Sequence, residues 1–223
     1  MTHTSVGSTA RVLGAGLRAL LALTLLCGVV YPLAVTGIAQ TLFRDRADGS
    51  EIKDASGQVV GSSLIGQRYD LPPEKGEEPP APDLRWFQPR PSRGLGTNSV
   101  NTRYELILSG ATNRSGDDPE LIRWVREAKA AVVKDNSTAT YRVGPDDVPP
   151  DAVTSSGSGL DPHISPAYAA LQVHRVADRN GLAVRKVEHL VEEHTTGRLL
   201  GFLGEPRVNV LELNTALRDA VRG

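Results

Sequence analysis

A run of 25 residues without a formal charge, residues 19–43, constrains this chain more than any other feature. At about 1.5 Å per residue, a helix of this length is roughly 37 Å long and exceeds the ~30 Å hydrocarbon core of a bilayer. A lone segment in lipid must satisfy its backbone polar groups internally, which only a helix achieves. Pro32 predicts a kink because it lacks a backbone donor. The sequence therefore predicts one transmembrane helix over 19–43.

The main alternative to a retained anchor is a cleaved signal peptide. Such a peptide has an apolar region of about 7–15 residues, followed by a small-x-small cleavage site. Gly37-Ile38-Ala39 has that pattern, and cleavage there would leave a mature chain that begins at Gln40. The apolar run is longer than a signal peptide needs, so a retained anchor is the favoured interpretation. Basic residues on its two sides are nearly balanced and set no orientation by the positive-inside rule.

Charge, cysteine and histidine content exclude several classes of protein. Lys and Arg number 25 against 26 for Asp and Glu, so the formal net charge is −1. A nucleic-acid-binding protein normally carries a basic surface, and we expect no nucleic-acid partner. The single cysteine, Cys27, excludes a disulfide framework. His189 and His194 are five residues apart, whereas two metal ligands on one helix face need a spacing of three or four. No metal ligand is predicted.

Two helices begin where a capping side chain precedes a proline. Asp118-Pro119 and Ser165-Pro166 combine a side-chain acceptor with the residue that suits the first helical turn. Apolar residues then recur at helical spacing in both segments. The second helix should end near Asn180, because Gly181 can adopt the left-handed conformation common after a helix.

The remaining signals predict two more helices and a few strands. An apolar stripe beginning at Val184 marks the third helix, and Asn209 is followed by an acid three residues later, like a capping box, at the start of the fourth. Residues 57–67 predict one or two short strands, and 198–204 predict another. Residues 44–223 are thus predicted to form one small α+β domain with long loops.

A proline-rich and charged segment, residues 72–97, is predicted to be a loop inside this domain. Its composition cannot form a core, so it is either exposed or ordered by a partner. Trp86-Phe87 is the exception in its middle. Two adjacent aromatic residues in a polar loop anchor either to the core of the domain itself or to another protein.

The serine–glycine loop, Thr154–Pro166, could bind phosphate, form a hydrolytic site or act as a rigid structural element. A P-loop needs a lysine after its second glycine, but no lysine lies between Lys134 and Lys186. The dinucleotide-binding glycine pattern is also incomplete. Backbone amides of the loop could still form an anion-binding nest, which is a weak signal.

A hydrolase would need a serine nucleophile beside Asp161 and His163. Ser156, Ser158 and Ser165 are the candidates, but the Gly-x-Ser-x-Gly elbow is absent. Ser165 is better explained as a helix cap, and His163 as a hydrogen-bonded loop residue. No catalytic residue is predicted, and the favoured interpretation is a rigid loop.

Several strings in this chain resemble one family over nearly its whole length. They are "YPLAVTGIAQTLF", "GSSLIGQ", "WFQPRPS", "SGATN", "TSSGSGLDPHISP", "QVHRVADRNGL" and "GRLLGFLGEPRVNVLELN". Together they resemble the C subunit of the Kdp high-affinity potassium-transporting P-type ATPase.

The resemblance implies a subunit of an ATP-driven potassium-uptake complex in the plasma membrane. Its partners would be a channel-like potassium-binding subunit, a P-type ATPase subunit, a small membrane peptide and the lipid bilayer. Residues 1–18 would be cytoplasmic, 19–43 would cross the membrane and 44–223 would lie outside. The chain would not be an enzyme on its own. It would be needed for assembly and would act as a catalytic chaperone that raises the ATP affinity of the ATPase subunit.

The resemblance also implies a nucleotide contact at Gln172, although no cofactor-binding chemistry is visible in the sequence. A domain outside the membrane cannot reach cytoplasmic ATP across about 30 Å of hydrocarbon. An indirect effect through the conformational equilibrium of the complex is the favoured route. The remaining motif residues are predicted to have structural or interface roles: Trp86, Phe87, Ser156, Gly157, Gly159, Asp161, Pro162, His163, Ser165, Pro166, Arg175, Glu205, Arg207 and Asn209. The alternatives are a membrane-anchored extracytoplasmic hydrolase using His163 and a binding domain.

Overall fold

The computed structural model describes residues 6–72, 80–92 and 109–222. The chain divides into two compact units, Met1–Ser50 and Glu51–Gly223. Part of the predicted proline-rich loop, residues 73–79 and 93–97, lies outside the described residues.

The first unit is helical through almost all of its described length. It contains α1 (Val6–Leu25), a π-helical turn (Leu26–Val30), α2 (Tyr31–Leu42) and the short α3 (Arg44–Ala47). Within it, Thr9–Leu42 is long and apolar enough to cross a membrane. This apolar helix begins before the predicted 19–43 span, and the residues that precede Arg18 are part of it.

Pro32 lies directly after the π-helical turn. The Tyr31 N–H donates to the Leu26 carbonyl, five residues earlier rather than four. Proline has no N–H and its ring crowds the preceding turn, so the α-helical ladder cannot pass it unchanged. The widened turn accommodates the proline at the place where the sequence predicted a kink.

The second unit mixes short strands with longer helices. Its described strands are β1 (Glu51–Lys53), β2 (Val59–Ser62), β3 (His163–Ile164), β4 (Thr195–Thr196) and β5 (Arg207–Asn209). Its described helices are α4 (Pro119–Asn136), α5 (Pro166–Asn180), α6 (Val184–Glu193) and α7 (Val210–Arg222), with 3₁₀ turns at Pro145–Asp147 and Pro150–Ala152. β1 pairs with β2, while β5 lies between β3 and β4; every pairing is antiparallel. This content is compatible with the predicted α+β class.

The helix boundaries follow the local signals, and the four helix predictions are confirmed. The Asp118 side chain accepts from two backbone N–H groups at the start of α4. The Ser165 hydroxyl accepts from the Tyr168 N–H at 3.0 Å at the start of α5, and Gly181 ends that helix with a φ of 63°. Asn209 Oδ1 accepts from the first N–H groups of α7. These bonds satisfy donors that a helix end leaves unpaired.

The hydrophobic core lies among α5, α6, α7 and β5. Val176, Val187, Leu213 and Leu217 are fully buried in it. Phe87 joins the same core with 0% of its surface exposed, and Trp86 packs against it. Of the two predicted anchoring sites for these aromatic residues, the core of the domain itself is the one observed.

The strand predicted over residues 198–204 is wrong. Leu199 and Leu203 form a single antiparallel bridge, and the chain turns between them. The pairing that was expected here is made on either side, by β4 and β5. The two glycines of the stretch, Gly201 and Gly204, both have positive φ and allow the tight turn. The short strands predicted within 57–67 are represented by β2, whose partner β1 precedes that stretch.

Candidate functional site

A short irregular stretch of the proline-rich segment, Leu84–Gln88, is bound along its backbone by side chains of α5 and α7; we call it the clasped segment. The Phe87 N–H donates to Asn214 Oδ1 at 2.9 Å, and Asn214 Nδ2 donates to the Phe87 carbonyl at 2.9 Å. A primary amide carries the same donor and acceptor as a peptide, so it can satisfy both polar groups of one residue. This pairing lets the Phe87 ring enter the core without leaving its own backbone unpaired.

Gln172 binds the next residue of the clasped segment in the same way. The Gln88 N–H donates to Gln172 Oε1 at 2.7 Å, and Gln172 Nε2 donates to the Gln88 carbonyl at 3.1 Å. Gln172 is 0% exposed. Both ends of its amide are engaged within the domain, so a nucleotide would have to displace Gln88 to reach it. The predicted nucleotide contact at Gln172 stays a prediction.

Arg175 completes the clasp from the adjacent turn of α5. Its guanidinium donates to Asn136 Oδ1 at 2.8 Å, to Gln172 Oε1 at 2.6 Å, to the Trp86 carbonyl at 3.0 Å and to the Leu84 carbonyl. Arg175 is 2% exposed and forms no ion pair with a carboxylate of the described residues. Burial lowers its pKa to about 10, so it remains a cation at neutral pH. The direct hydrogen-bond partners of this buried charge are therefore neutral acceptors, while Asp135 and Asp83 act on it from a greater distance.

The serine–glycine loop is also held by internal hydrogen bonds. Asp161 Oδ1 accepts from the His163 N–H at 2.9 Å and lies 3.1 Å from His163 Nδ1, while Asp161 Oδ2 lies 3.5 Å from an Arg90 nitrogen. The hydrogen bond from His163 lowers the pKa of Asp161 below its ordinary value. Arg90 also donates to the Thr154 and Ser155 carbonyls. The loop is thus tied to the chain that follows the clasped segment.

The two glycines of the loop differ in what they allow. Gly159 has a φ of 68°, and a Cβ there would lie 2.9 Å from the Gly110 carbonyl oxygen. Ser92 and Gly110 donate to carbonyls of the loop around this close approach. Gly157 has no positive φ, and a Cβ there would meet open space. Glycine is required at 159 and not at 157.

The hydroxyls of Ser156, Ser158 and Ser165 form structural hydrogen bonds within the domain. Ser156 and Ser158 lie 3.3 Å apart and accept from backbone N–H groups of the loop. Ser165 caps α5, with Pro166 at its first turn, and donates to Asp151 at 2.9 Å. In the described chain, no serine hydroxyl is hydrogen-bonded to His163.

The other predicted interface residues lie along β3, β5 and the turn before β5. The Pro162 carbonyl accepts from the Val210 N–H at 3.0 Å, and His163 pairs with Asn209 across the sheet. Asn209 is buried and donates to the Ser63 carbonyl at 2.9 Å. Arg207 and Glu205 are exposed. The buried members are therefore structural, and only the exposed ones are free to meet another molecule.

A groove of about 1050 Å³ runs between α4 and the clasped segment, with Gln172 and Arg175 in its lining. Trp124 of α4 lines the opposite side. Its volume would admit a small ligand. Within residues 6–72, 80–92 and 109–222, no group of three His, Cys, Asp or Glu side chains is arranged to hold a metal ion. His189 pairs instead with Glu193 at 3.3 Å.

Comparison with known proteins identifies the family. Residues 13–219 match the family model described as "KdpC: K+-transporting ATPase, c chain". The chain belongs to the KdpC family. The KdpC subunit of the potassium-transporting ATPase of Streptomyces avermitilis is 71% identical over 98% of both chains. That of Kineococcus radiotolerans is 48% identical over 92% of both chains, and that of Mycobacterium tuberculosis is 42% identical over 90% of this chain and 94% of its own.

Membership in the KdpC family confirms the resemblance drawn from the sequence strings. With the apolar helix of the first unit, it supports a membrane location and a role as a subunit of the potassium-transporting ATPase. Four residues that bind the motif residues were not predicted from the sequence: Asn136, Asn214, Asp151 and Arg90. Their partners lie far away in the sequence, 127 residues for Asn214 and Phe87, so no local signal points to them.

Proposed function

We propose that this KdpC-family chain is a non-catalytic accessory subunit that stabilises the assembled potassium-transporting ATPase. One observation carries the proposal. The motif residues Gln172, Arg175, Asp161 and Ser165 all form hydrogen bonds within the domain. Residues engaged in this way build a rigid scaffold and are not available for chemistry, which favours an assembly role over the hydrolase alternative.

The proposed topology places residues 1–18 in the cytoplasm, one helix over 19–43 in the plasma membrane and 44–223 outside. The proposed partners are the channel-like potassium-binding subunit, the P-type ATPase subunit, the small membrane peptide and lipid. A chain tethered by one apolar helix and carrying a rigid domain could bridge membrane subunits at an outer surface. It needs no cofactor of its own for that role.

The proposed effect on ATP affinity is indirect. A domain outside the membrane lies about 30 Å of hydrocarbon away from cytoplasmic ATP. A subunit that binds one conformation of the complex more tightly shifts the population toward it, and ligand affinity elsewhere changes by linkage. The engagement of both ends of the Gln172 amide supports this route over direct nucleotide contact.

Deletion of the chain tests the assembly role. The remaining subunits should then fail to co-purify as an active complex, and cells should fail to grow at limiting potassium. Asp161→Asn together with Gly159→Ala should weaken assembly, and Gly157→Ala is the matched control. Normal potassium uptake without this chain would contradict the proposal, as would ester hydrolysis by the purified chain that is lost in His163→Ala.

Two measurements separate the direct and indirect routes to ATP. Lys186→Cys in a Cys27→Ala background should react with a membrane-impermeant maleimide added from outside intact cells. An azido-ATP photoprobe on the intact complex should label the ATPase subunit and spare this chain. Labelling of this chain by the photoprobe, or of Lys186→Cys only after the cells are opened, would overturn the indirect route.

A further inference from the structure

The turn between β4 and β5 forms a tight hairpin whose tip is apolar; we call Leu199–Leu203 the apolar hairpin. The Leu199 N–H donates to the Leu203 carbonyl at 2.8 Å, and the Leu203 N–H returns to the Leu199 carbonyl at 2.9 Å. The Phe202 N–H also donates to the Leu199 carbonyl. These bonds fix the backbone, so the hairpin has a defined shape.

The side chains of the apolar hairpin are exposed. Leu199 is 69% exposed, Leu200 77%, Phe202 69% and Leu203 47%. Single exposed apolar residues are common on protein surfaces, but four within five residues form a contiguous patch. Patches of this kind mark sites of interaction. The side chains of the apolar hairpin are not part of the hydrophobic core described above.

The backbone at Leu200 strengthens this argument. Its φ is 53° and that of Gly201 is 82°, which are the positive values of a type I′ hairpin turn. Asn, Asp or Gly is preferred at the first of these positions, because a Cβ-branching or bulky side chain is strained there. Leucine therefore costs the isolated hairpin stability and gains no burial in return. Its side chain at the tip is best explained by a contact outside the domain.

Charged residues lie at the base of the apolar hairpin. Arg198 and Glu205 form an ion pair at 2.8 Å at the base of the hairpin, and both are exposed, as is Arg207. An apolar centre with a polar rim is the usual anatomy of a protein–protein interface. Aromatic and aliphatic anchors that enter a pocket on the partner contribute most of the binding energy in such interfaces.

The same features favour a protein pocket over the lipid surface. Trp and Tyr are enriched at membrane–water interfaces, and residues 198–207 contain neither. A fluid bilayer also needs no fixed turn geometry, whereas a pocket does.

We propose that the apolar hairpin docks into an apolar pocket on a membrane subunit of the same potassium-transporting ATPase, with Leu200 and Phe202 as its anchors. This inference rests on the proposed function and names the surface through which that function is exerted. The paired backbone hydrogen bonds of Leu199 and Leu203 fix the hairpin, so the tip reaches the partner already in its bound shape.

Photocrosslinking in the intact complex tests the contact. p-Benzoyl-phenylalanine replaces Phe202 in one variant and Leu64, which is 64% exposed, in a matched control. Irradiation of membranes that contain all subunits should link the position 202 variant to a membrane subunit, identified by mass spectrometry, and should leave the position 64 variant largely unlinked. A position 202 variant that links only to lipid, or to nothing, overturns the proposal.

A double variant separates docking from folding. Leu200→Asn improves the turn and Phe202→Ser removes the second anchor, so the variant should melt no lower than the native chain. We expect its co-purification with the membrane subunits to fall by about tenfold or more, a loss of roughly 1.4 kcal/mol or more of binding free energy. Leu64→Asn is the control that should assemble normally. Equal co-purification of the double variant and the native chain overturns the docking proposal while leaving the assembly role intact. Failure of the native chain itself to co-purify contradicts the proposed function instead.

Discussion

Two phenylalanines in short irregular segments have opposite environments in this molecule. Phe87, in the clasped segment, is fully buried, whereas Phe202, in the apolar hairpin, is 69% exposed. Asn214 satisfies the backbone of Phe87 from α7. The backbone of the hairpin is satisfied by its own turn, without help from the core. An irregular segment can thus be buried only where core side chains supply the hydrogen bonds that regular structure would have supplied.

The difference also separates two kinds of motif residue. In the clasped segment, polar side chains of α5 and α7 hold the backbone in place by hydrogen bonds. In the apolar hairpin, Leu200 keeps a strained positive φ although 77% of its surface is exposed. The first arrangement is typical of a scaffold, and the second of a binding surface. Substitutions in the two regions should therefore have different consequences.

The largest difference is expected between Phe87→Ala and Phe202→Ala. Removal of the buried ring leaves a cavity and should lower the free energy of unfolding by about 3–5 kcal/mol. Removal of the exposed ring should change it by less than about 0.5 kcal/mol. Chemical denaturation of the full chain in detergent measures both. Similar losses for the two variants would remove the basis of the comparison.

Arg175→Met should have the next largest effect on the free energy of unfolding. The substitution removes the hydrogen-bond donor to the buried Asn136 Oδ1 and to the Leu84 carbonyl, at a cost of about 3 kcal/mol. Arg179→Met, in the exposed last turn of the same helix, is the control and should cost less than about 0.5 kcal/mol. An unchanged free energy of unfolding in Arg175→Met would mean that the Arg175 hydrogen bonds contribute little to holding Leu84–Gln88.

Gly159→Ala and Gly157→Ala extend the comparison to the serine–glycine loop. Alanine at 159 must adopt a positive φ and approach the Gly110 carbonyl, so we expect a loss of about 1–2 kcal/mol. Alanine at 157 meets open space and should change the free energy of unfolding by less than about 0.5 kcal/mol. Thermal melting in detergent compares them directly, and equal melting temperatures would show that the loop is not fixed at Gly159.

Leu200→Asn should raise the free energy of unfolding, whereas the preceding substitutions lower it. Asparagine tolerates the left-handed conformation at the hairpin tip, so the variant should be stabilised by up to about 1 kcal/mol. The same variant should assemble less well if the tip is a binding surface. At this position, the free energy of unfolding measured by denaturation should rise, while the amount of chain that co-purifies with the membrane subunits should fall. A variant that gains stability and also assembles normally would place Leu200 outside the interface.

The smallest effect is expected from acid. The hydrogen bond from His163, helped by Arg90, lowers the pKa of Asp161 in the folded chain. The ionised Asp161 carboxylate therefore stabilises the folded chain at pH values above its ordinary pKa of 3.8. This stabilisation is lost as the pH falls through the lowered pKa of Asp161 in the folded chain. Asp161→Asn should flatten the dependence of stability on pH in that acidic window and leave it unchanged near pH 7 to 8. An identical acid profile for both chains would show that Asp161 is not coupled to folding.

Local chemistry predicted the helices, and distant contacts determined the rest. Ser165 and Gly181 act within their own helix ends, so the sequence around them was sufficient. The clasp joins Gln172 to Gln88 across 84 residues, which no local pattern reports. The strand prediction over 198–204 failed because apolar residues were taken to form a strand although Gly201 favours a turn. Resemblance, rather than residue chemistry, identified the family.

The π-helical turn before Pro32 changes the phase of the anchor. A turn of this kind inserts about one residue into the α-helical repeat, which rotates the side chains of α2 by about 100° relative to an uninterrupted helix. Side chains of α1 and α2 that would otherwise share a stripe therefore point in different directions. A partner helix that follows one stripe of side chains along α1 would therefore lose that stripe at the π-helical turn and meet a different set of side chains along α2.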